Sequence, residues 1–192
     1  TNGAIRHTAV IPVAGDLITK DLAQALRTPH NAAEYIKIHH GVAIATMDGL
    51  DEMIEVPSVG DRQPRQISRR VLASVIGPRV EEILELTLNE LRRSGFPEDV
   101  LTSGVVLTGG ASQLEGVRDL AELVLDKQVR LGRPRALRGL PESMSGPAFS
   151  TAAGLLRYGL REHVARPDFA AMESANKKRN LGRIGQWLRE NF

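Results

Sequence analysis

Cysteine is absent from the 192 residues. That excludes disulfides, thiolate metal sites and a cysteine nucleophile, and it fits a reducing compartment. Aromatic residues are scarce, with one Trp, two Tyr and four Phe. No apolar run approaches the ~20 residues that cross a bilayer, and the first residues carry no secretory signal pattern. The five His, including the adjacent pair His39-His40, have no partner at metal-ligand spacing. No Ser/His/Asp constellation is apparent either, so neither a metal site nor a catalytic residue is expected. An excess of one charge sign is missing too, with 25 Lys plus Arg against 23 Asp plus Glu.

What is present is an ordinary globular composition, 42% hydrophobic and 25% charged, in a chain long enough to bury a core. The chain opens on a turn-like Thr1-Asn2-Gly3, which reads as a piece of something longer. Charge is unevenly placed. Residues 166–192 hold six basic and three acidic side chains, leaving residues 1–165 close to neutral. A near-neutral body argues against nucleic acid as a partner.

Along the chain, Asn2-Gly3 leads into strand-like Ala4 to His7 and Ala9 to Val13. Asp16 is placed to cap a helix to Arg27, and Asn31 a second helix that ends before Gly41. Val42 to Thr46 and Met53 to Val59 read as strands paired around Asp48-Gly49, followed by a loop over 60–65. Apolar residues from Ile67 to Leu91 keep a helical period, with Gly77-Pro78 expected to kink or restart it and Ser94-Gly95 to end it. Gly104 to Thr108 has the continuous apolar character of a strand buried on both faces. It runs through Gly109-Gly110-Ala111-Ser112 into a helix from about Leu114 to Leu125. A loop over 132–147 and a helix over 151–164 follow. Strands and helices alternate without internal repeats, so the fold class is α/β.

Gly109, Gly110, Ala111 and Ser112 join a strand to a helix without Cβ atoms on the first two, which suits either a nucleotide cradle or a plain tight turn. Gly15 and Asp16 mark a second strand-to-helix switch. Glu34 and Lys37, three apart, share a helix face and read either as contacts to a ribose and base or as a solvated ion pair.

Residues 166–180 read as a flexible basic linker, with Lys177-Lys178-Arg179 at its end. Beyond it, at about 100° per residue, Leu181, Ile184, Trp187, Leu188 and Phe192 fall on one side of a short helix. That pattern suits a helix lying in the interface of an anionic membrane, the other reading being a terminal helix docked on its own domain.

The succession AVIPVAGDLITKDLAQALRT, AEYIKIHHGVA, EVPSVGDRQPR, VVLTGGASQLEG, STAAGLLRYG and QWLRENF resembles the FtsA family of bacterial cell-division proteins, which are actin homologues. The resemblance covers nearly the whole chain. It implies an actin-like (ribonuclease H-like) ATPase fold and the C-terminal half of such a protein. Subdomain 2A would span 1–27 and 101–165, subdomain 2B would span 28–100, and a membrane-targeting helix would span 181–192. It assigns Gly15, Asp16, Glu34, Lys37, Gly109, Gly110, Ala111 and Ser112 to ATP, bound with Mg in the full-length protein and weakly if at all in this piece. It assigns Arg65 and Arg79, with Arg69 and Arg70 nearby, to the 2B face that receives the acidic tail of the tubulin homologue FtsZ. The implied function is a filament-forming tether of the FtsZ ring on the cytoplasmic face of the inner membrane, with at most slow ATP hydrolysis. The alternatives are a soluble ATPase or sugar kinase of the same superfamily, or another actin-like scaffold.

Overall fold

The computed structural model describes residues 5–45, 49–60, 62–96, 103–135, 139 and 141–165. Nine elements carry the architecture: α1 (Gly15–Leu26), α2 (His30–His40), β1 (Met53–Val56), β2 (Arg65–Ser68), α3 (Arg69–Arg93), β3 (Val105–Leu107), α4 (Val117–Leu125), β4 (Val129–Leu131) and α5 (Ser150–Ala165).

The helices follow their apolar spacing. In α1, Ile18, Leu22 and Leu26 repeat at four-residue intervals and are buried. In α4, Val117, Ala121 and Leu125 do the same. Between them runs α3, burying Leu72, Ala73, Ile76, Gly77, Val80 and Leu84. These faces merge with Ala33, Ile36, Ile54, Val56 and Val129 into one hydrophobic cluster. The cluster crosses the boundaries expected at 28 and 100, so α1, α3 and α4 share a single core.

The helix starts differ from expectation. Ala14 occupies the N-cap of α1, and Asp16 instead bonds Lys20 at 2.6 Å one turn on. Pro29, rather than Asn31, precedes the first turn of α2, where its fixed φ suits a helix start. In α3 the helix runs through Gly77-Pro78 for 25 residues. Gly77 allows close packing there: a Cβ on it would lie 2.7 Å from the Ala43 carbonyl oxygen. Pro78 interrupts one hydrogen bond of a helix held by packing on both sides of the break.

Strand pairing is where expectation and structure part most. Met53–Val56 pairs antiparallel with Arg65–Ser68, in the register Met53 opposite Ser68. The segment after α2 therefore is not its partner. Val42 forms an isolated parallel bridge with Glu115, and the Ala43 N–H donates to the Glu115 carbonyl at 2.8 Å. Arg65 and Ile67 consequently belong to a strand.

Residues 5–13 form no strand among the described residues, and Val10 is 93% exposed. A lone extended segment has no ladder to join. Likewise, among the described residues, β3 pairs only with β4, in parallel, with α4 as the crossover. Val106 on β3 is 47% exposed, so this strand is not buried on both faces. The partner strand β4 is an element that the sequence pattern did not signal. The α4 helix begins at Val117, after a 3-10 turn over Gly110–Gln113. The helix expected at 151–164 is present as α5. The linker and terminal helix expected at 166–192 lie outside the described residues.

Candidate functional site

Three segments meet at the N-terminal end of α1. A Cβ placed on Gly15 would stand 3.3 Å from the Ala111 Cβ and 3.8 Å from Lys37 Nζ. Gly15 thus lies between the Gly109–Ser112 loop and α2, and any larger side chain there would push the two apart. The loop is anchored from beneath. Gly109 takes a φ of 96°, open to glycine and strained for other residues, and its N–H donates to the Pro147 carbonyl at 3.1 Å. The Thr108 hydroxyl bonds the Gly132 carbonyl at 2.9 Å and the Ser150 hydroxyl at 2.6 Å. The Ser112 hydroxyl is turned inward, donating to the Gly109 carbonyl at 2.8 Å. A Cβ on Gly110 would meet nothing within 4 Å, so the outer side of the loop faces open space.

On the α2 side, Lys37 is 7% exposed. Its ammonium donates to the Gly15 carbonyl at 3.1 Å, the Thr19 hydroxyl at 2.8 Å and Glu34 Oε2 at 2.6 Å. Thr19, fully buried, also donates to Glu34 Oε2. Burial pushes the Glu34 carboxyl up, but the hydrogen bonds from Lys37 and Thr19 outweigh it and hold the pKa below its ordinary value. The Glu34 side chain remains 42% exposed. Asp16 stands at the rim, its pKa lowered first by its bond to Lys20. Of the eight residues expected at a nucleotide site, the structure gathers Gly15, Glu34, Lys37 and the Gly109–Ser112 loop around one opening, with Asp16 at its edge. Thr19 was not singled out by the sequence. Its only signal is position, one turn beyond Gly15 on the buried face of α1.

The four arginines are not gathered in the same way. Arg70 and Arg79 are nine residues apart on α3, about two and a half turns, and so point to opposite sides. Arg70 bonds the Ala45 carbonyl at 3.3 Å and Asp51 at 3.1 Å. Arg79 grips Asp21 of α1 through two nitrogens, at 2.6 and 3.2 Å, and also bonds Glu82. The contact with Asp21 pushes the guanidinium pKa further up. Arg65 bonds the Leu26 carbonyl at the end of α1. Arg69 is engaged with the His40 carbonyl at 3.1 Å and Glu115 at 2.5 Å. Arg65 and Arg79 therefore line the α1 side of α3, while Arg69 and Arg70 line the side of the 43–52 segment. The expected membrane-inserting residues Leu181, Ile184, Trp187, Leu188 and Phe192 lie outside the described residues. No helix among the described residues is long and apolar enough to cross a membrane.

A family model described as cell division protein FtsA matches residues 1–154. The chain belongs to the FtsA family. Among its FtsA relatives, the chain is 49% identical to that of Neisseria meningitidis over 194 residues, 47% to that of Pseudomonas aeruginosa over 199, and 43% to that of Escherichia coli over 200. Each match takes in all of this chain and 47% of the relative, so the chain spans about half the length of the FtsA proteins it matches. The fold is actin-like. MreB5 of Spiroplasma citri, in a crystal structure bound to ADP, superimposes with a TM-score of 0.59 over 82% of this chain and 48% of its own, at 15% identity. The same protein bound to AMPPNP gives 0.58.

Proposed function

We propose that this FtsA-family chain forms one wall of an ATP site in an actin-like protein that polymerises and tethers the FtsZ ring to the inner membrane. The observation that carries the reading is the convergence of Gly15, the Gly109–Ser112 loop and the Glu34–Lys37 pair on one opening. Gly110, with room where its Cβ would be, leaves space for a base or sugar to lie against backbone. Glu34, with its side chain 42% exposed, carries a carboxylate suited to hydroxyl or amine donors. Mg would travel with the nucleotide phosphates.

Subdomain 2A is assigned to 1–27 and 101–165, and 2B to 28–100. Arg65, Arg69, Arg70 and Arg79 are proposed to receive the acidic FtsZ tail. Arg70, whose side chain is 56% exposed, is more accessible than Arg69 or Arg79. Arg79 has to exchange Asp21 for the incoming carboxylate. Leu181, Ile184, Trp187, Leu188 and Phe192 form the membrane-inserting face, with the basic linker meeting anionic lipid. A single short helix binds weakly, so polymerisation multiplies its hold by avidity.

Co-sedimentation with anionic vesicles tests the tether, comparing the chain with a copy ending at Arg166. The tether reading expects binding that is lost on truncation. Equal sedimentation of both would mean that the terminal helix docks on protein rather than on lipid.

A further inference from the structure

Each of the four arginines proposed for the acidic tail already has an acceptor inside the molecule. Arg65 bonds the Leu26 carbonyl, Arg70 bonds Asp51, and Arg79 bonds Asp21 and Glu82. An incoming carboxylate therefore exchanges with an internal partner, and the effect elsewhere depends on what that partner holds. For Arg69 the partners belong to the walls of the nucleotide opening. Its Nε donates to the carbonyl of His40, the last residue of α2, at 3.1 Å. Its Nη2 donates to Glu115 Oε2 at 2.5 Å, and its Nη1 lies 3.6 Å from Glu52 Oε2. A guanidinium is rigid and planar, so this one group sets the spacing between the end of α2 and the segment that follows the Gly109–Ser112 loop.

The same two segments are in close contact at this junction. A Cβ on Gly41 would stand 2.8 Å from Leu114 Cδ2, and the Ala43 N–H donates to the Glu115 carbonyl. Farther along, the same loop and the same helix enclose Gly15. The Glu115 side chain is 45% exposed and that of Arg69 14%, so a competing carboxylate reaches the contact from the Glu115 side. Arg70 has no such link, since its partners Ala45 and Asp51 both lie in the 43–52 segment.

We propose, resting on the nucleotide-site and acidic-tail readings above, that Arg69 is shared between the two sites. With its guanidinium on Glu115 it is a positioning residue, holding the loop and α2 at the spacing a nucleotide needs. When an acidic peptide takes the guanidinium, Glu115 is released and that spacing is lost. Nucleotide and acidic peptide therefore weaken one another, by the same factor in both directions. Glu115 touches neither ligand: it supports the nucleotide and competes with the peptide.

The test uses the full-length protein, with ATP affinity read by calorimetry. Affinity for a fluorescein-labelled peptide of the acidic FtsZ tail is read by anisotropy. In the unsubstituted protein, saturating peptide weakens ATP about fivefold and saturating ATP weakens the peptide about fivefold, the low end for coupled sites. Glu115→Gln weakens ATP by a similar factor yet tightens the peptide, and each ligand then ignores the other. Arg69→Gln weakens both ligands and also abolishes the coupling. Asp51→Asn, which releases Arg70 alone, tightens the peptide and leaves ATP and the coupling unchanged. The opposite signs for Glu115→Gln are what a merely structural role does not give, because partial unfolding weakens both ligands. The proposal is overturned if Glu115→Gln moves both affinities the same way or leaves ATP unchanged. It is overturned too if ATP and peptide bind independently, or strengthen one another, in the unsubstituted protein. Should Glu115→Gln not fold, Glu115→Asp, which keeps the charge but is one methylene shorter, decides by the same criterion. Absence of ATP binding removes the nucleotide reading along with this proposal, and absence of peptide binding removes the acidic-tail reading along with it. Binding of both without mutual effect removes this proposal alone.

Discussion

Glu34 carries two opposed influences: burial, which raises its pKa, and the hydrogen bonds from Lys37 and Thr19, which lower it by more. A carboxyl whose pKa is lower folded than unfolded contributes stability above its unfolded value, and the contribution fades as the pH falls through the folded value. Glu34→Gln should therefore lower the melting temperature most near neutral pH, with the gap to the unsubstituted protein closing as the pH falls below the ordinary glutamate range. Thermal unfolding by circular dichroism across that range checks it, and a gap that does not change with pH would mean the carboxylate makes no such bonds in solution. At this scale the sequence was informative in part. The spacing of Glu34 and Lys37 placed them on one face, and the structure joins them at 2.6 Å. Their third member, Thr19, sits fifteen residues from Glu34, and no local pattern links α1 to α2. Asp16 misled for the opposite reason, since a well-placed capping residue had a lysine one turn away to bond instead.

Among the elements, the helices were legible because their signal is internal: buried positions recur every three or four residues in α1, α4 and most of α3 whatever lies against them. Strands depend on their neighbours. Val42 to Thr46 is as apolar as β1, yet Val42 bridges to Glu115 while Arg65–Ser68, polar on its face, completes the hairpin. The three-residue β4 carries too little pattern to be read at all. Gly77 shows the same dependence in a helix. Glycine-to-alanine in a helix interior ordinarily stabilises by about 0.5–1 kcal/mol. Gly159→Ala in α5, where a Cβ meets nothing within 4 Å, should show that gain. Gly77→Ala should instead destabilise by about 1–3 kcal/mol, because its Cβ would press on the Ala43 carbonyl oxygen. Urea midpoints at unchanged slope separate the two cases. A gain at both positions would show that the backbone at 43 yields freely.

At the scale of the whole molecule, the decisive fact is that one hydrophobic cluster takes in α1, α2, α3 and α4. Leu72→Ala, at a fully buried position in its middle, should cost about 2–5 kcal/mol. The loss should appear as an earlier but still single transition, with amides of α1 and α4 opening together in hydrogen exchange. Separate openings for α1 and α4 would mean that the shared cluster does not bind the two parts into one cooperative unit. The other whole-molecule feature is β3, hydrogen-bonded along one edge only among the described residues and exposing Val106. An open strand edge is a template for a second chain. Encounters between such edges grow with the square of concentration while folding does not, so crowding selects the fate of each newly made copy. For this chain, how much soluble material survives becomes a matter of kinetics, decided by how soon something covers that edge.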